Sequence, residues 1–273
     1  MPSDDKDKTM ARPRYAVNHY LCPPQVRLDS FAQEVAEAGF DGIGLTEAAL
    51  AGASVPSLRR VLNGCGLKVS SINTAGFFLS ADAGQAQRND RLLDIASELD
   101  AGVLNIIIGA ADETVPLDIA RRQAQDALAG FAQKAADYGV QLVLEPLWIA
   151  NAFTKSCVHS ISQTERIFSK IPGLKLNLDY YHLWADPDLA RTLCGQGCDV
   201  GLLQICDVDW RGAPNLAVRA PLGQGRLSVL AQLESLGWQP GKCTLELELF
   251  IDQLPGQDYA ALIHAAARQL KLK

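Results

Sequence analysis

Several features that mark other classes of protein are missing from this chain of 273 residues. No stretch approaches the roughly 18 consecutive apolar residues that a membrane-spanning helix needs. Basic residues do not dominate, because 25 lysines and arginines stand against 31 aspartates and glutamates, a net charge of −6. The bulk positive charge typical of nucleic-acid-binding proteins is therefore absent. We expect neither a membrane partner nor a nucleic-acid partner.

The N-terminus has no export signal. Residues 1–14 are polar and charged and lack the apolar segment of a secretory signal, so we expect a disordered leader there. The seven cysteines have no paired spacing. An odd number of cysteines without an export signal predicts reduced thiols and a cytoplasmic location. Cys194 and Cys198 form C-x3-C, but no second Cys or His pair lies nearby, so we expect no structural zinc site.

Apolar sequence is plentiful. Hydrophobic residues make up 48% of the chain and charged residues 21%, which excludes global disorder and allows a sizeable core. From Tyr15 onward, short runs rich in Val, Ile and Leu alternate with longer stretches that have the 3.6-residue periodicity of amphipathic helices. We predict strands at 15–18, 42–46, 68–73, 103–108, 141–145, 175–179, 201–206 and 243–249. We predict helices at 30–38, 57–63, 85–99, 117–138, 162–170, 186–193, 227–236 and 257–270.

This alternation predicts a single α/β domain, a (β/α)8 TIM barrel over residues 15–273. Nearly all-apolar strands are typical of a parallel sheet covered on both faces. Eight strand–helix units in about 260 residues match the size of such a barrel. The alternative is an open, doubly wound sheet, which needs a glycine-rich phosphate loop after an early strand. Neither G-x-G-x-x-G nor G-x-x-x-x-G-K-[ST] occurs there.

Polar side chains interrupt or close four consecutive predicted strands. The fifth strand ends in Glu145, the sixth ends in Asp179, the seventh contains Gln204, and the eighth contains Glu246 and Glu248 on one face. Chemistry in such barrels lies at the carboxyl ends of the strands. Carboxylates buried together there would repel one another and raise one another's pKa, and a divalent cation would compensate. Oxygen ligands favour Mg2+ or Mn2+. The alternative is that each acid is salt-bridged separately in a solvated loop.

The order of four short motifs resembles the xylose isomerase-like TIM barrels. The motifs are LEPL, LDYYH, LQICD and ELELF, on the fifth to eighth predicted strands. That superfamily holds sugar isomerases, ketose 3-epimerases, hydroxypyruvate isomerase, inosose dehydratase and 3-dehydroshikimate dehydratase. The segment RAPLGQG, from Arg219, is similar to the family's R-x-x-P-G-x-G loop, with the Pro and Gly shifted and the Arg-to-last-Gly spacing kept. The likeness spans most of the chain, but it does not choose among the members.

The resemblance implies roles for individual residues. It implies four ligands for Mn2+ or Mg2+, namely Glu145, Asp179, Gln204 and Glu248. Glu145 and Glu248 would also be the acid/base pair, facing each other across the substrate, while His182 and Arg219 would contact substrate oxygens. Gln204 stands where His is commoner, although the hydroxypyruvate isomerase branch has Gln at this place. Glu248 is preferred to Glu246 because it lies nearer the end of its strand and because ELF fits the family better.

The implied function is a divalent-metal-dependent isomerase or epimerase of a small sugar or hydroxy-keto acid. Removing a proton from carbon beside a carbonyl requires stabilisation of the enediolate, which a divalent metal provides, and a carboxylate moves the proton. The alternative is a metal-dependent dehydratase of the inosose or 3-dehydroshikimate type, which starts in the same way and then expels a β-hydroxyl. The family's barrels often pair, so the resemblance also allows a homodimer.

Two other classes are weighed against an isomerase. A DNA-repair endonuclease of the same superfamily needs additional histidines for several zinc ions and a basic groove, whereas this acidic chain has only 4 histidines. A non-catalytic barrel that has lost its metal is supported chiefly by Gln204. Among the remaining polar residues, His19 and Glu47 follow predicted strands and are candidates for the pocket. Lys155 follows the fifth strand, and we prefer a solvated lysine there to contact with an anionic substrate.

Overall fold

The computed structural model describes residues 14–210 and 216–272. The strands are β1 (Tyr15–Asn18), β2 (Gly42–Thr46), β3 (Lys68–Gly76), β4 (Val103–Ile107), β5 (Leu142–Leu144), β6 (Lys175–Asp179), β7 (Val200–Ile205), β8 (Asp207–Asp209), β9 (Val218–Ala220) and β10 (Thr244–Leu247). The helices are α1 (Leu28–Glu37), α2 (Glu47–Leu50), α3 (Val55–Gly64), α4 (Gln85–Glu98), α5 (Leu117–Asp137), α6 (Ile161–Phe168), α7 (Tyr180–Leu183), α8 (Leu189–Leu193), α9 (Val229–Ser235) and α10 (Tyr259–Gln269).

Eight of these strands form a closed parallel barrel, in the order β1-β10-β7-β6-β5-β4-β3-β2. β8 and β9 form a separate antiparallel pair. The predicted (β/α)8 barrel is therefore confirmed, and each predicted strand overlaps one strand of the barrel. Apart from Arg14, the predicted leader at 1–14 lies outside the described residues. The backbone of Arg14 extends the barrel edge, since its carbonyl accepts the N–H of Leu245 at 2.9 Å.

The alternation of side chains along each strand divides the barrel into two environments. Outward-facing residues such as Leu104 and Leu178 join the main apolar core, which also contains Phe31 of α1, Leu62 of α3 and Leu128 of α5. Burial of this layer against the helices supplies most of the driving force for folding. None of the helices in the described ranges combines the length and apolar character needed to cross a membrane.

The inward-facing residues change from apolar to polar toward the carboxyl ends of the strands. Val103, Val143 and Leu202 form a small apolar cluster of their own. Two positions further along the same strands, with the side chain on the same face, stand Asn105, Glu145 and Gln204. The interior of the barrel therefore has an apolar floor beneath a buried polar layer, and that layer supports the candidate site.

Candidate active site

Three acidic or basic side chains meet where β5 and β6 end. Glu145 directly follows β5, Asp179 is the last residue of β6, and His182 lies one turn later on α7. The Nε2 atom of His182 lies 3.8 Å from Oε1 of Glu145 and 3.5 Å from Oδ2 of Asp179. One ligand atom from each residue falls within a cluster less than 4.8 Å across. The prediction that Glu145 and Asp179 share one rim of the barrel agrees with this geometry.

The backbone fixes the orientation of the His182 ring. The N–H of Trp148 donates to Nδ1 of His182 at 3.3 Å. Burial lowers the pKa of His182 to about 4, so the ring is neutral near pH 7. A neutral ring that accepts at Nδ1 carries its proton on Nε2. His182 therefore directs an N–H donor toward the carboxylates of Glu145 and Asp179.

Arg219 joins Asp179 to Glu248. Its Nη1 donates to Oδ1 of Asp179 at 3.1 Å, its Nη2 bonds to Oδ2 of Asp179, and Nη2 lies 2.8 Å from Oε2 of Glu248. The guanidinium carbon lies 4.5 Å from the ring centroid of Tyr181 and 5.1 Å from that of Phe250. Its positive charge is thus held by two buried carboxylates in an aromatic cage. The sequence predicts contact of Arg219 with substrate, whereas the structure directs its guanidinium to these acids.

A hairpin positions Arg219. In the β8–β9 pair, Val208 is opposite Arg219. The buried carboxylate of Asp207 then accepts the N–H groups of Gly223 at 2.7 Å and Val229 at 3.1 Å, which fastens the RAPLGQG loop and the first turn of α9. The sequence showed the loop by its likeness to the family motif, but nothing in the sequence indicated the hairpin that presents the Arg.

Gln204 lies beneath Glu248 in the barrel interior. Its Nε2 donates to Oε1 of Glu246 and to Oε1 of Glu248, both at 3.0 Å, and its Oε1 accepts from Nδ2 of Asn177 at 2.7 Å. In this arrangement the amide oxygen predicted to bind metal is paired with Asn177, and the amide nitrogen orients Glu248.

The two glutamates of β10 occupy different environments. The carboxylate of Glu246 accepts hydrogen bonds from Nδ2 of Asn18 at 2.7 Å, Oγ of Ser70 at 2.6 Å and Oγ of Ser71 at 2.7 Å. Glu248, by contrast, shares Arg219 with Asp179. Glu248 is therefore the glutamate that faces the cluster of Glu145, Asp179 and His182, and Glu246 belongs to the polar layer below.

Burial and mutual repulsion shift the carboxyl groups in different directions. Burial raises the pKa of Glu145 to about 7, and the charge of Asp179 adds to the effect. Burial also raises the pKa of Glu248 well above its usual value, together with the charges of Asp179, Glu145 and Glu246. Burial opposes ionisation of Asp179 as well, but Arg219, His182 and the N–H of Tyr181 together hold the pKa of Asp179 below its usual value. The site thus combines one carboxyl group with a lowered pKa and two with raised pKa values.

Amide side chains inside the strands escaped the sequence predictions. Nδ2 of Asn105 donates to Oε2 of Glu145 at 2.6 Å and to Oδ1 of Asn73 at 3.2 Å. Asn105 interrupts the apolar run of β4, as Gln204 does in β7. That interruption was an available signal for a buried polar layer, and it also marks Asn177 in β6.

A cavity of about 1280 Å³ opens beside the cluster, on the side of β1 to β4. His19, Glu47, Asn73, Thr74, Lys155 and Phe250 are among the residues that line it. The ring of Tyr20 stacks on Phe250, with centroids 4.5 Å apart, and closes the wall nearest Glu248. Both His19 and Glu47 line the cavity, as their positions after predicted strands suggested. None of Glu145, Asp179, His182 and Glu248 lines the cavity directly. It adjoins them through Phe250, which lies against Arg219, and through Asn73, which is bonded to Asn105. It provides room for a substrate close to the cluster.

The donor atoms present suit a divalent cation. Glu145, Asp179 and Glu248 are 4%, 0% and 4% exposed. Oxygens of Glu145 and Asp179 lie within 4.8 Å of each other beside His182, and Glu248 joins them through Arg219, so the three carboxylates offer oxygen ligands close together. Among the described side chains, Oε2 of Glu248 has Arg219 as its ionic neighbour but receives no hydrogen bond. Buried carboxylates are stable only when paired or coordinated, so the group fits a metal site.

Comparison with known families agrees with this architecture. The family model described as xylose isomerase-like TIM barrel matches residues 32–268. The chain belongs to this family, and the resemblance in the four strand-end motifs is confirmed. Among curated proteins, no sequence matches the chain.

Solved structures share the fold across nearly the whole chain. Protein SMc04130 from Sinorhizobium meliloti 1021 is 25% identical, with a TM-score of 0.80 over 94% of this chain and 97% of that one. The IolI protein, solved with a zinc atom, is 17% identical, with a TM-score of 0.76 over 94% and 96% of the two chains. D-psicose 3-epimerase from Clostridium cellulolyticum H10, solved with D-tagatose, is 15% identical, with a TM-score of 0.68 over 94% and 96%. Proteins of this fold include epimerases and dehydratases.

Proposed function

We propose that this chain is a divalent-metal-dependent isomerase or epimerase of a small sugar or hydroxy-keto acid, which transfers a proton at the carbon beside a carbonyl. The observation that carries the proposal is the convergence of Glu145, Asp179 and His182 close to a large cavity, with Glu248 joined to Asp179 through Arg219. Two of these carboxyl groups have raised pKa values, as general acids and bases near neutral pH require.

Glu145, Asp179 and Glu248 would hold the ion. Gln204 would join them, as the family resemblance implies, only if its amide turned its oxygen away from Asn177. The bound ion would supply Lewis acidity toward the carbonyl oxygen of the substrate. Glu145 and Glu248 are the proton carriers of the proposal. Both would hold the ion as carboxylates. One of them accepts the proton from carbon, and the same group or the opposite one returns a proton to the product.

The other residues of the site bind and orient. The Nε2–H of His182 donates to a substrate oxygen that lies between Glu145 and Asp179. Arg219 keeps Asp179 ionised, while the rings of Tyr181 and Phe250 keep water away from this pair. Low water access strengthens each of these charge interactions.

Exchange of the carbon-bound proton with solvent tests the proposal directly. Wild-type protein with Mn2+ is incubated in D2O with a panel of ketoses, inososes and hydroxy-keto acids, and NMR follows loss of the proton beside the carbonyl. We expect exchange with at least one compound, and Glu145→Gln or Glu248→Gln should slow it by about 100-fold or more. Glu234→Gln, which changes an exposed acid of α9, is the matched control.

Two results would count against the proposal. Release of water from a compound, with no rearranged sugar formed, would replace the isomerase with a dehydratase acting through the same residues. Exchange that is unaffected by both glutamate substitutions would exclude these side chains as the proton carriers.

A further inference from the structure

Two cationic side chains lie near Glu145, and they are used differently. Arg219 is buried, and its guanidinium charge is already paired with the carboxylates of Asp179 and Glu248. Lys155 is exposed and lines the 1280 Å³ cavity. Within residues 14–210 and 216–272, no carboxylate pairs with the ammonium group of Lys155. The cavity therefore contains a positive charge that the protein itself does not neutralise.

The backbone holds Lys155 in place at the edge of the cavity. Its N–H donates to the carbonyl of Asn151 at 2.9 Å. Two residues later, the N–H of Cys157 donates to the carbonyl of Gly109 at 2.8 Å, which ties this loop to the end of β4. Ser156, between them, is fully buried. Because the backbone is already anchored, a ligand that binds Lys155 needs to order only its side chain.

The charge of Lys155 is felt at the candidate site. Lys155 lines the cavity that adjoins the cluster. Burial is the main cause of the pKa shifts of Glu145 and His182, and the positive charge of Lys155 adds a smaller downward contribution to each. An anion that approached Glu145, Asp179 and Glu248 would be repelled by them unless a cation stood nearby. Glu47, Asp252, Asp29 and Arg27 also line the cavity. Arg27 is paired with Asp29 at 2.8 Å, which leaves Lys155 as the position where a negative group gains most.

We propose that Lys155 binds an anionic group of the substrate, a carboxylate or a phosphate, at the wall of the cavity that adjoins the cluster. The inference rests on the proposed function and narrows its substrate class to acidic hydroxy-carbonyl compounds rather than neutral sugars. It replaces the interpretation of Lys155 as a solvated lysine.

Matched probes that differ only in charge test the assignment. Binding of D-fructose 6-phosphate and D-fructose, and of D-gluconate and D-glucitol, is measured by calorimetry at fixed ionic strength. The wild type should bind the anionic member of at least one pair about tenfold more tightly, as one partly buried charge pair provides. Lys155→Met should abolish that preference and Lys155→Arg should retain it. The phosphate and carboxylate pairs distinguish the two sources of negative charge.

Lys170→Met serves as a control, because it removes the same charge from the far end of α6, outside the cavity. It should keep the wild-type preference. The proposal is overturned if the wild type binds neither anion measurably, if it shows no preference, or if Lys155→Met keeps the preference.

Proton exchange in D2O on the two fructose probes, which have a carbonyl group, separates this inference from the proposed function. Exchange on D-fructose without any preference for its phosphate would remove the role of Lys155 and leave the isomerase intact. A lysine-dependent preference without exchange on any compound would support anion binding by Lys155 and count against the proposed isomerase or epimerase.

Discussion

Arg219 is the counter-charge for two buried carboxylates, so its removal should be costly. In Arg219→Met, Asp179 and Glu248 lose the cation that lies against them, and breaking a buried ion pair from one side costs about 3–5 kcal/mol. We expect the free energy of unfolding in urea at pH 7 to fall by about that amount. Added Mn2+ should restore part of the loss, because it supplies another cation to the same oxygens.

The control for this prediction is a surface arginine. Arg122 pairs with Asp118 on α5 at 3.0 Å, with both side chains 65% exposed. Screened pairs of this kind contribute little, so Arg122→Met should leave stability nearly unchanged. If the free energy of unfolding fell equally in Arg219→Met and Arg122→Met, the buried ion pairs of Arg219 would contribute no more to stability than an exposed pair.

The single residues of the site differ in how far the sequence predicts them. Glu145 and Asp179 close apolar strands, and that interruption is readable without a structure. The pairing of Asp179 with Arg219 is not, because the two residues are 40 positions apart and meet only through the β8–β9 hairpin. The amide of Gln204 has two possible orientations, and only its neighbours Asn177 and Glu246 decide between them.

At the scale of elements, the hairpin and the loop after it depend on one carboxylate. The side chain of Asp207 accepts N–H groups from Gly223, Gly225 and Val229. Asp207→Asn replaces an oxygen acceptor with an amide nitrogen and weakens charge-assisted bonds, at a cost of about 1–3 kcal/mol. Amide hydrogen exchange should become faster across residues 218–229.

Exchange elsewhere provides the comparison for this variant. Asp199 is an exposed acid between α8 and β7, so Asp199→Asn should leave the protection of residues 218–229 unchanged. If Asp207→Asn accelerated exchange equally around the whole barrel, the carboxylate would be supporting global stability rather than this loop.

Elements with strong periodicity were predictable, and those formed by local geometry were not. β6 and α5 follow from an apolar run and from a long amphipathic repeat. The short strands β8 and β9 have three residues each, too few for a period-two pattern to stand out. The helix α7 has only four residues, Tyr180–Leu183, and forms because the Asp179 carboxylate caps it by accepting the N–H of Tyr181 at 2.9 Å.

At the scale of the whole molecule, stability should depend on pH through two buried groups, Glu145 and His182. As pH rises, Glu145 should lower the free energy of unfolding and His182 should raise it. The pKa of Glu145 is raised from 4.5 to about 7, so the folded state binds more protons and Glu145 destabilises the fold progressively as pH rises through this window. The pKa of His182 is lowered from 6.5 to about 4, so its unfavourable contribution disappears as pH rises from about 4 to 6.5.

Single variants should separate these opposing contributions. Measured by urea unfolding of metal-free protein, the stability of the wild type relative to Glu145→Gln should decrease between pH 5 and pH 7.5. Relative to His182→Asn, it should increase between pH 4 and pH 6.5. Parallel curves for wild type and Glu145→Gln would contradict the raised pKa of Glu145.

The barrel as a whole follows from alternating strands and helices, but the position of the cavity does not. Its walls combine the ends of β1 to β4 and their loops with Lys155 after β5 and Phe250 after β10. Residues such as Tyr20 and Phe250 are brought together only by ring closure. Loop geometry of this kind depends on local packing, which no residue period encodes.

The buried polar layer beneath the site has a consequence for charge transfer. Asn18, Ser70 and Ser71 are locked by their bonds to Glu246, and Asn105 is locked between Glu145 and Asn73. These dipoles cannot rotate freely, whereas water around a dissolved reactant must reorient each time charge moves. Folding has therefore already oriented the dipoles around Glu145 and Glu246. The proton transfers proposed here need little further reorganisation of their surroundings.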